Sequence, residues 1–533
     1  MKIKLLFPPK WSLHYPYLSL PTLTGYLQEN DVEVDQIDLN ILLYDMILSK
    51  NGMTQIVNKI NDMNIQKTLK ERQGFDNVDY LINNIDKFKK VIRRYESPKE
   101  NIELKRLAGK ALFNAINLIN LCSFPFPSFS ELNIKNILKI IEKDDVFSEL
   151  FEKYFILKIL RGDPELIGIS ICGNSQFLSG LKIANLIKKE SPETYVVIGG
   201  PMTTYIIKCI YDYQKLFSFF DGIILGDGEK ALLRLVEGVS KSKFDDIPNL
   251  VYIDKNRKIR KNLIINEDLN SLPPPSFDGL PLGLYFNPST LPIQTSRGCY
   301  WAKCTFCNYK SVIGCERYRE KCIPKVVDEI RCLIDKYDMK KISIEDDCIY
   351  PSRMNQLANE IIKNKLNISW YAYVRPEKGF TSIILSKMAR SGCKELYFGI
   401  ESGCQRILDL MKKGTEIKTM GDVLKKAKEN GISNTIFIIV GFPTETFDEI
   451  NETIKFVSNN AEYIDIVDVY KFRMMWESEI EKNKEKYFIY KDRKNNIAKK
   501  ELTQDEINYI CRNFHTMLPS NTKNKLYIKY FLG

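Results

Sequence analysis

Apolar and polar positions fall into two blocks of the same rhythm, separated by proline-rich punctuation. In the first, KIKLLF (2–7) is a nearly continuous apolar run closed by Pro8 and Pro9, which predicts a buried strand. Helical spacing over 21–29 and an alternating VEVDQIDL (32–39) predict a helix and a second strand. LIGISI (166–171), TYVVIGG (194–200) and FDGIILGDGE (220–229) repeat the strand pattern, with helices over 177–189 and 230–239. Repeating βα units imply a parallel, doubly wound sheet. From about 40 to 160, apolar residues recur at helical spacing among Lys, Asn, Asp and Glu, broken by SFPFPSFS at 123–130. This stretch reads as a helical insertion in the α/β unit.

The second block starts near 292. Strands are expected at 292–296, 340–346, 368–374, 394–401, 434–442 and 465–472, with helices over 323–337, 353–364, 381–391, 404–413, 419–430 and 446–459. Six repeats are too few for a closed eight-fold barrel, so a partial (β/α)6 barrel is expected. The resulting division is an α/β domain over 1–245, a linker over 246–289 marked by SLPPPSF (271–277), a partial barrel over 290–475 and a small helical C-terminal tail over 476–533.

Composition narrows the chemistry. The 533 residues are 44% hydrophobic and 11% aromatic, too apolar for a disordered chain. The net charge of +11 comes from lysines spread along the whole sequence, which reads as a solvated surface; nucleic acid is not expected as a partner. MKIKLLFPPKW has no apolar run long enough for a signal peptide, and nothing approaches the roughly 18 apolar residues of a membrane span. A reducing cytoplasm is the expected setting, where the 13 cysteines are metal ligands or buried apolar residues rather than disulfides. With only His14 and His515 present, a metal site here must be thiolate-based.

The cysteines that draw attention are Cys299, Cys304 and Cys307, within TSRGCYWAKCTFCNY (295–309) directly after the first strand of the second block. A loop there lies at the strands' C-terminal mouth, where βα enzymes keep their chemistry. An iron–sulfur cluster takes four ligands, and three close cysteines leave one iron open to bind something else. The alternative is a structural zinc held by Cys304 and Cys307 with Cys315 or Cys322, as in an RNA- or protein-binding factor, although the second knuckle of a zinc ribbon is missing. The other ten cysteines are isolated and read as core or surface residues.

With this loop and the βα repeats after it, residues 290–475 resemble the radical SAM superfamily. The resemblance implies a [4Fe–4S] cluster on Cys299, Cys304 and Cys307, with the methionyl amine and carboxylate of S-adenosyl-L-methionine on the fourth iron. This chain places four residues rather than the usual three between the first two cysteines. Phe306 matches the family's aromatic near the adenine. Asp346 and Asp347, in IEDD at the end of the second strand, are candidates for the methionyl ammonium, or a solvated strand end. Arg375 is a candidate for the carboxylate, or a structural ion pair. Glu401 and Ser402 in GIESG resemble the ribose and carboxylate contact, and Gly441 in VGFPTET the strand beside the adenine; read without the family, both are ordinary turns.

The first block resembles the cobalamin-binding domain upstream of one radical SAM subgroup, through the opening strand with its PP, ISICGNSQFLSGLKIA, VVIGGPMTT and ILGDGE. Ser170, Asn174, Gly199, Gly200, Thr203 and Gly226 are the implied cobalamin contacts. The Asp-x-His-x-x-Gly motif that supplies a cobalt ligand is absent, so a histidine below cobalt is not expected. The alternative is an α/β domain that binds no cofactor. The resemblance implies a cobalamin-dependent methyltransferase acting on an unactivated carbon of a natural-product, peptide or lipid substrate through a 5′-deoxyadenosyl radical. It also implies a flavodoxin- or ferredoxin-like electron donor. The rival within the family uses cobalamin for cyclisation, oxidation or rearrangement.

Overall fold

A computed structural model of the chain describes residues 1–62, 78–93, 102–123, 133–210, 212–309, 318–488, 502–519, 522 and 527–530. It divides into two compact units, Met1–Leu291 and Pro292–Gly533.

The first unit is built on a seven-stranded sheet of order β2-β1-β3-β4-β5-β6-β7. Its strands are β1 (Ile3–Phe7), β2 (Val34–Asp38), β3 (Leu166–Ser170), β4 (Tyr195–Gly199), β5 (Gly222–Ile224), β6 (Leu250–Ile253) and β7 (Ile259–Lys261). The pairings from β2 across to β5 are parallel, and β6 and β7 add antiparallel to the edge. All five positions of β1 and of β3 are buried, which is why both read as apolar runs rather than alternations. Between β2 and β3 runs the expected insertion, with helices Leu39–Ile47, Lys50–Asp62, Val78–Arg93, Ile102–Ser123 and Ile134–Glu142 among its elements. The SFPFPSFS segment lies largely outside the described residues. The ammonium of Lys182, buried on helix Asn174–Glu190, ties the insertion to the sheet by donating to Asp145 (2.7 Å) and the Lys143 carbonyl (2.8 Å).

The segment expected to link the two units is built into the first one. Residues 250–261 form the β6–β7 hairpin, and the Pro-rich stretch is pinned down. Gln36 donates to the carbonyls of Ser276 and Asp278 (2.8 Å each), the Ser276 N–H donates to Pro21, and the Tyr285 hydroxyl donates to Asp38 (2.5 Å). Prolines suit such a strap because their stiffness lowers the entropy lost on docking.

The second unit carries a sheet of order β16-β15-β14-β13-β12-β11-β8. Its strands are β8 (Thr290–Ile293), β11 (Lys341–Ile349), β12 (Ser369–Val374), β13 (Cys393–Glu401), β14 (Ser433–Val440), β15 (Ile466–Lys471) and β16 (Tyr527–Tyr530). The pairings from β11 to β16 are parallel. Helices Ile323–Tyr337, Pro351–Lys363, Ser382–Arg390, Ile417–Glu429 and Phe447–Asn459 make the crossovers. One face is fully buried, through Trp370, Ala372, Leu396, Phe398, Ile436 and Ile438, while Tyr371, Tyr373, Tyr397 and Phe437 on the other are half-buried. The tail is not wholly helical: after helix Gln504–Met517 its YIKY becomes β16, a seventh strand on the open edge. Among the described residues no helix is long and apolar enough to cross a membrane.

Candidate functional site: a cysteine loop at the strand mouth

The cysteine loop is clipped at its base. Two-residue strands β9 (Ser296–Arg297) and β10 (Arg319–Glu320) pair antiparallel on either side of it. Buried Asp346 fixes the first of them, accepting from Thr295 N, Thr295 Oγ1 and Ser296 Oγ at 2.6 Å each. Arg353 adds donors to the carbonyls of Thr295 (2.9 Å) and Lys321 (2.8 Å).

Inside the clip, the first half of the loop is seated on the 412–414 turn. Trp301 Nε1 donates to the Lys412 carbonyl (2.9 Å), and the Arg375 guanidinium stacks 3.8 Å from the centre of the indole. Arg375 also donates to Glu377 (2.7 Å), which accepts the Tyr300 hydroxyl, and to the Lys413 carbonyl (2.6 Å). The second half is stitched to neighbouring segments: Thr305 donates to Met411 (2.9 Å) and Leu410 (3.0 Å), and Ile480 N–H donates to Thr305 (2.9 Å).

Cys299, Cys304 and Cys307 are all half-buried; the Cys304 thiol senses the charge of Cys299, and the Cys307 thiol that of both others. A hydrogen bond from the Cys348 thiol, helped by the N–H groups of Ala302 and Trp301 and by Lys413, brings Cys299 down to about 6. Burial pushes Cys304 up and Cys307 up to about 12, because each would have to hold its charge among other thiols in a dry site. Three soft donors on one loop, with N–H groups and a buried ammonium beside them, are the donor set an iron–sulfur cluster requires. Among the described residues no group of three or more His, Cys, Asp or Glu side chains is placed to hold a metal ion. Cys322 is exposed, and Cys315 lies outside the described residues.

The other expected residues of this unit separate into two groups. Asp347, Glu401 and Phe306 are gathered near the thiols. Asp347 is pushed up to about 7 by burial, Asp346 and Cys299, and accepts from Gly298 N–H and the Tyr309 hydroxyl. Glu401 (φ +66°) pairs with Lys413 at 2.8 Å. Burial alone would lower Lys413, but Glu401 and the nearby thiols outweigh it and hold the ammonium charged. Phe306 and Glu401 line an open cavity of about 340 Å³ with Ile439, Tyr470 and Phe472. Gly441 closes β14, its N–H donating to Glu445 (2.6 Å), whose buried carboxyl is pushed up to about 8.

Asp346, Arg375 and Ser402 form the second group, their polar atoms turned to the protein. The Ser402 hydroxyl accepts from Cys404 N–H (3.1 Å) and faces Thr453 (3.3 Å). Three participants were not anticipated: Cys348, Lys413 and the Trp301 seat. Cys348 and Lys413 lie far from the cysteine motif in sequence, and Trp301, though inside it, is seated by the distant 412–414 turn.

In the first unit the expected cofactor residues sit along the carboxyl edge of the parallel strands. Ser170 ends β3 and shares a hydrogen bond with the Cys172 thiol (3.5 Å); the Thr203 hydroxyl donates back to Gly199 (2.9 Å). Asn174 opens helix Asn174–Glu190 and is exposed, and Gly199, Gly200 and Gly226 are half-buried. The strand order 2-1-3-4-5 places a switch point between β1 and β3, and ligands of such sheets bind along this edge. His14 is exposed, with its ring edge-on to Phe286.

The sequence model of the radical SAM superfamily matches residues 293–457. An uncharacterised methyltransferase of Pyrococcus horikoshii is 31% identical over 342 residues, spanning 62% of this chain and 72% of that protein. Among solved structures, the cobalamin-dependent S-adenosylmethionine radical enzyme OxsB, with aqua-cobalamin and S-adenosylmethionine bound, superposes with a TM-score of 0.55 at 15% identity. That match covers 91% of this chain but only 56% of OxsB. The radical S-adenosylmethionine methyltransferase TsrM of Kitasatospora setae, with cobalamin and a [4Fe–4S] cluster bound, gives 0.55 at 15% identity over 90% of this chain and 74% of its own. At that identity the two structures speak for a shared fold.

Proposed function

The chain belongs to the radical SAM superfamily, and from that membership we propose that it is a cobalamin-dependent enzyme that methylates an unactivated carbon of a natural-product, peptide or lipid substrate. The observation that carries this reading is the loop of Cys299, Cys304 and Cys307 at the mouth of the second sheet, in a chain whose first unit is a separate α/β sheet of ligand-binding order. When bound, a [4Fe–4S] cluster would supply the electron that cleaves S-adenosyl-L-methionine, and cobalamin would supply the methyl group.

The protein's own part is to hold and shield. Cys299, Cys304 and Cys307 are the cluster ligands. Asp347 offers a carboxylate for an ammonium beside them, and Glu401, kept in place by Lys413, faces the cavity with a hydrogen-bond acceptor. Phe306, Ile439 and Phe472 give that cavity apolar walls suited to an adenine. Asp346, Arg375 and Ser402 act at one remove, by fixing the loop and the turn after β13. Gly199, Gly200, Gly226 and Asn174 offer the cobalamin edge, with Ser170 and Thr203 supporting it from within. The setting is a reducing cytoplasm with a flavodoxin- or ferredoxin-like donor.

The test is anaerobic turnover of the cluster-loaded, cobalamin-loaded protein with S-adenosyl-L-methionine labelled in its methyl group, using candidate substrates. Label in the product together with 5′-deoxyadenosine is the expected result. Formation of 5′-deoxyadenosine with an unlabelled product would place the enzyme with cyclising or rearranging relatives. A colourless, zinc-containing protein would end the enzyme reading.

A further inference from the structure

Leu263, Ile264 and Ile265 follow β7 and are 76%, 39% and 40% exposed. Consecutive apolar side chains shown to water are unusual, and on a rigid backbone they mark a binding surface rather than a frayed loop. The backbone here is rigid. Buried Asn249, itself at φ +63°, accepts from Ile265 N–H (2.6 Å) and donates to the carbonyls of Ile265 (3.0 Å) and Asp227 (2.7 Å). Asp227 accepts from Glu267 N–H (2.8 Å), and Glu267 accepts from Lys230 N–H (3.0 Å). A five-residue segment is therefore fixed to the turn after β5 and to the helix behind it.

Strand register says which end of the sheet this ledge occupies. Ile224 of β5 pairs with Leu250 of β6, and Val251 of β6 pairs with Lys261 of β7, both antiparallel. The ladder continues outward, Leu225 N–H donating to Asn249 and Asn249 N–H to Leu263 (2.9 Å each). Residues leaving β7 thus emerge beside the C-terminus of β5, on the carboxyl edge of the parallel strands, where ligands of doubly wound sheets bind.

Gly226 lies at that point with φ +74°, its N–H held by the Thr204 hydroxyl (3.0 Å). A Cβ added there would meet nothing nearer than Ile264 Cγ2 at 4.0 Å, so the turn leaves open space that the ledge borders. We propose that Leu263, Ile264 and Ile265 form the apolar floor on which the corrin of cobalamin rests beside Gly226. A wide ring with an apolar face matches a ledge of aliphatic side chains, and this floor offers cobalt no nitrogen ligand. The assignment rests on the proposed cobalamin dependence and adds the surface that would hold the ring.

The experiment titrates hydroxocobalamin into the full chain and follows bound cobalamin by equilibrium dialysis and the visible spectrum. Wild type, I264D, L263D and the conservative I264V are compared, with melting temperature and iron content measured alongside. The expectation is uptake by wild type and I264V, and affinity lower by about tenfold or more in each aspartate variant, at unchanged melting temperature and iron content. Unchanged affinity in I264D and L263D overturns the floor while leaving cobalamin dependence intact. No uptake by wild type overturns both. An aspartate variant that changes only from dimer to monomer, with cobalamin affinity unaltered, assigns the ledge to a second copy of the chain and overturns the floor.

Discussion

The indole of Trp301 lies against the α-carbon of Gly414, where an added Cβ would overlap the ring. This seat gives the loop, with its four residues between Cys299 and Cys304, one defined course. Gly414 also needs φ +69°, which an L side chain adopts with strain. G414A is expected to lower stability by about 1–3 kcal/mol and to displace Trp301. The check is iron per chain after anaerobic reconstitution, with denaturant melts in parallel. Wild-type iron content in G414A would sink the idea that the seat shapes the loop.

Much of the second unit was legible because its strands and helices keep strict periods. Helix Ile323–Tyr337 has the bounds its apolar spacing predicts, and β12 to β15 agree with expectation to within one or two residues. At the end of β11 the register with β12 shifts between Ile344 and Ile349, yet the in–out alternation of the strand holds from Ile344 to Cys348. Of two adjacent aspartates, that alternation turns Asp346 inward to Thr295 and Ser296 and leaves Asp347 with the thiols. The expected linker over 246–289, marked by SLPPPSF, packs on the first unit for a reason its sequence does not show: proline-rich sequence looks the same whether it spans solvent or is docked. What docks it is Gln36, Asp38 and Pro21, some 240 residues earlier in the chain. Cys348 and Lys413 escaped notice likewise, because only the folded sheet brings them to the loop.

The strap carries a pH signature. Asp38 is buried, accepts from Tyr285 and Ile41, and is pushed by burial from 3.8 up to about 6. An acid that holds its proton more tightly when folded favours folding where it is protonated. Its contribution is present below the unfolded value and lost as the pH rises through about 6, a change of roughly 3 kcal/mol. Wild type should therefore lose stability from pH 4 to 6 relative to D38N, in which an amide keeps the cap on Ile41. Parallel denaturant curves for the two proteins across that range would refute the assignment.

Cys348 provides an internal control for the cluster ligands, since it touches Cys299 yet belongs to β11 rather than to the loop. C304A should abolish cluster assembly and formation of 5′-deoxyadenosine, whereas C348A should retain both. Iron and sulfide analysis with product chromatography reads the difference. Undiminished 5′-deoxyadenosine from C304A would refute the ligand set, and loss of the cluster in C348A alone would move the ligand to the strand.

Lys413 and Glu401 form a pair in which each side chain is almost wholly buried, 8% and 11% exposed. Desolvating two charges is costly, so the pair as such is weak evidence of stabilisation, but removing one partner strands the other. K413M leaves Glu401 among the thiols without its cation, and E401Q leaves the Lys413 ammonium beside a neutral amide. Each single variant is expected to lose about 3–5 kcal/mol, while the double variant K413M/E401Q should lose clearly less than the two singles combined. The coupling follows from Gly399, where a Cβ would crowd Glu401 Oε1 and Lys413 Nζ alike, so the two charges share one pocket under the strand. A double-mutant cycle by chemical denaturation measures it. Additive losses would mean that the charges act separately and that Glu401 is held in the cavity by something other than Lys413.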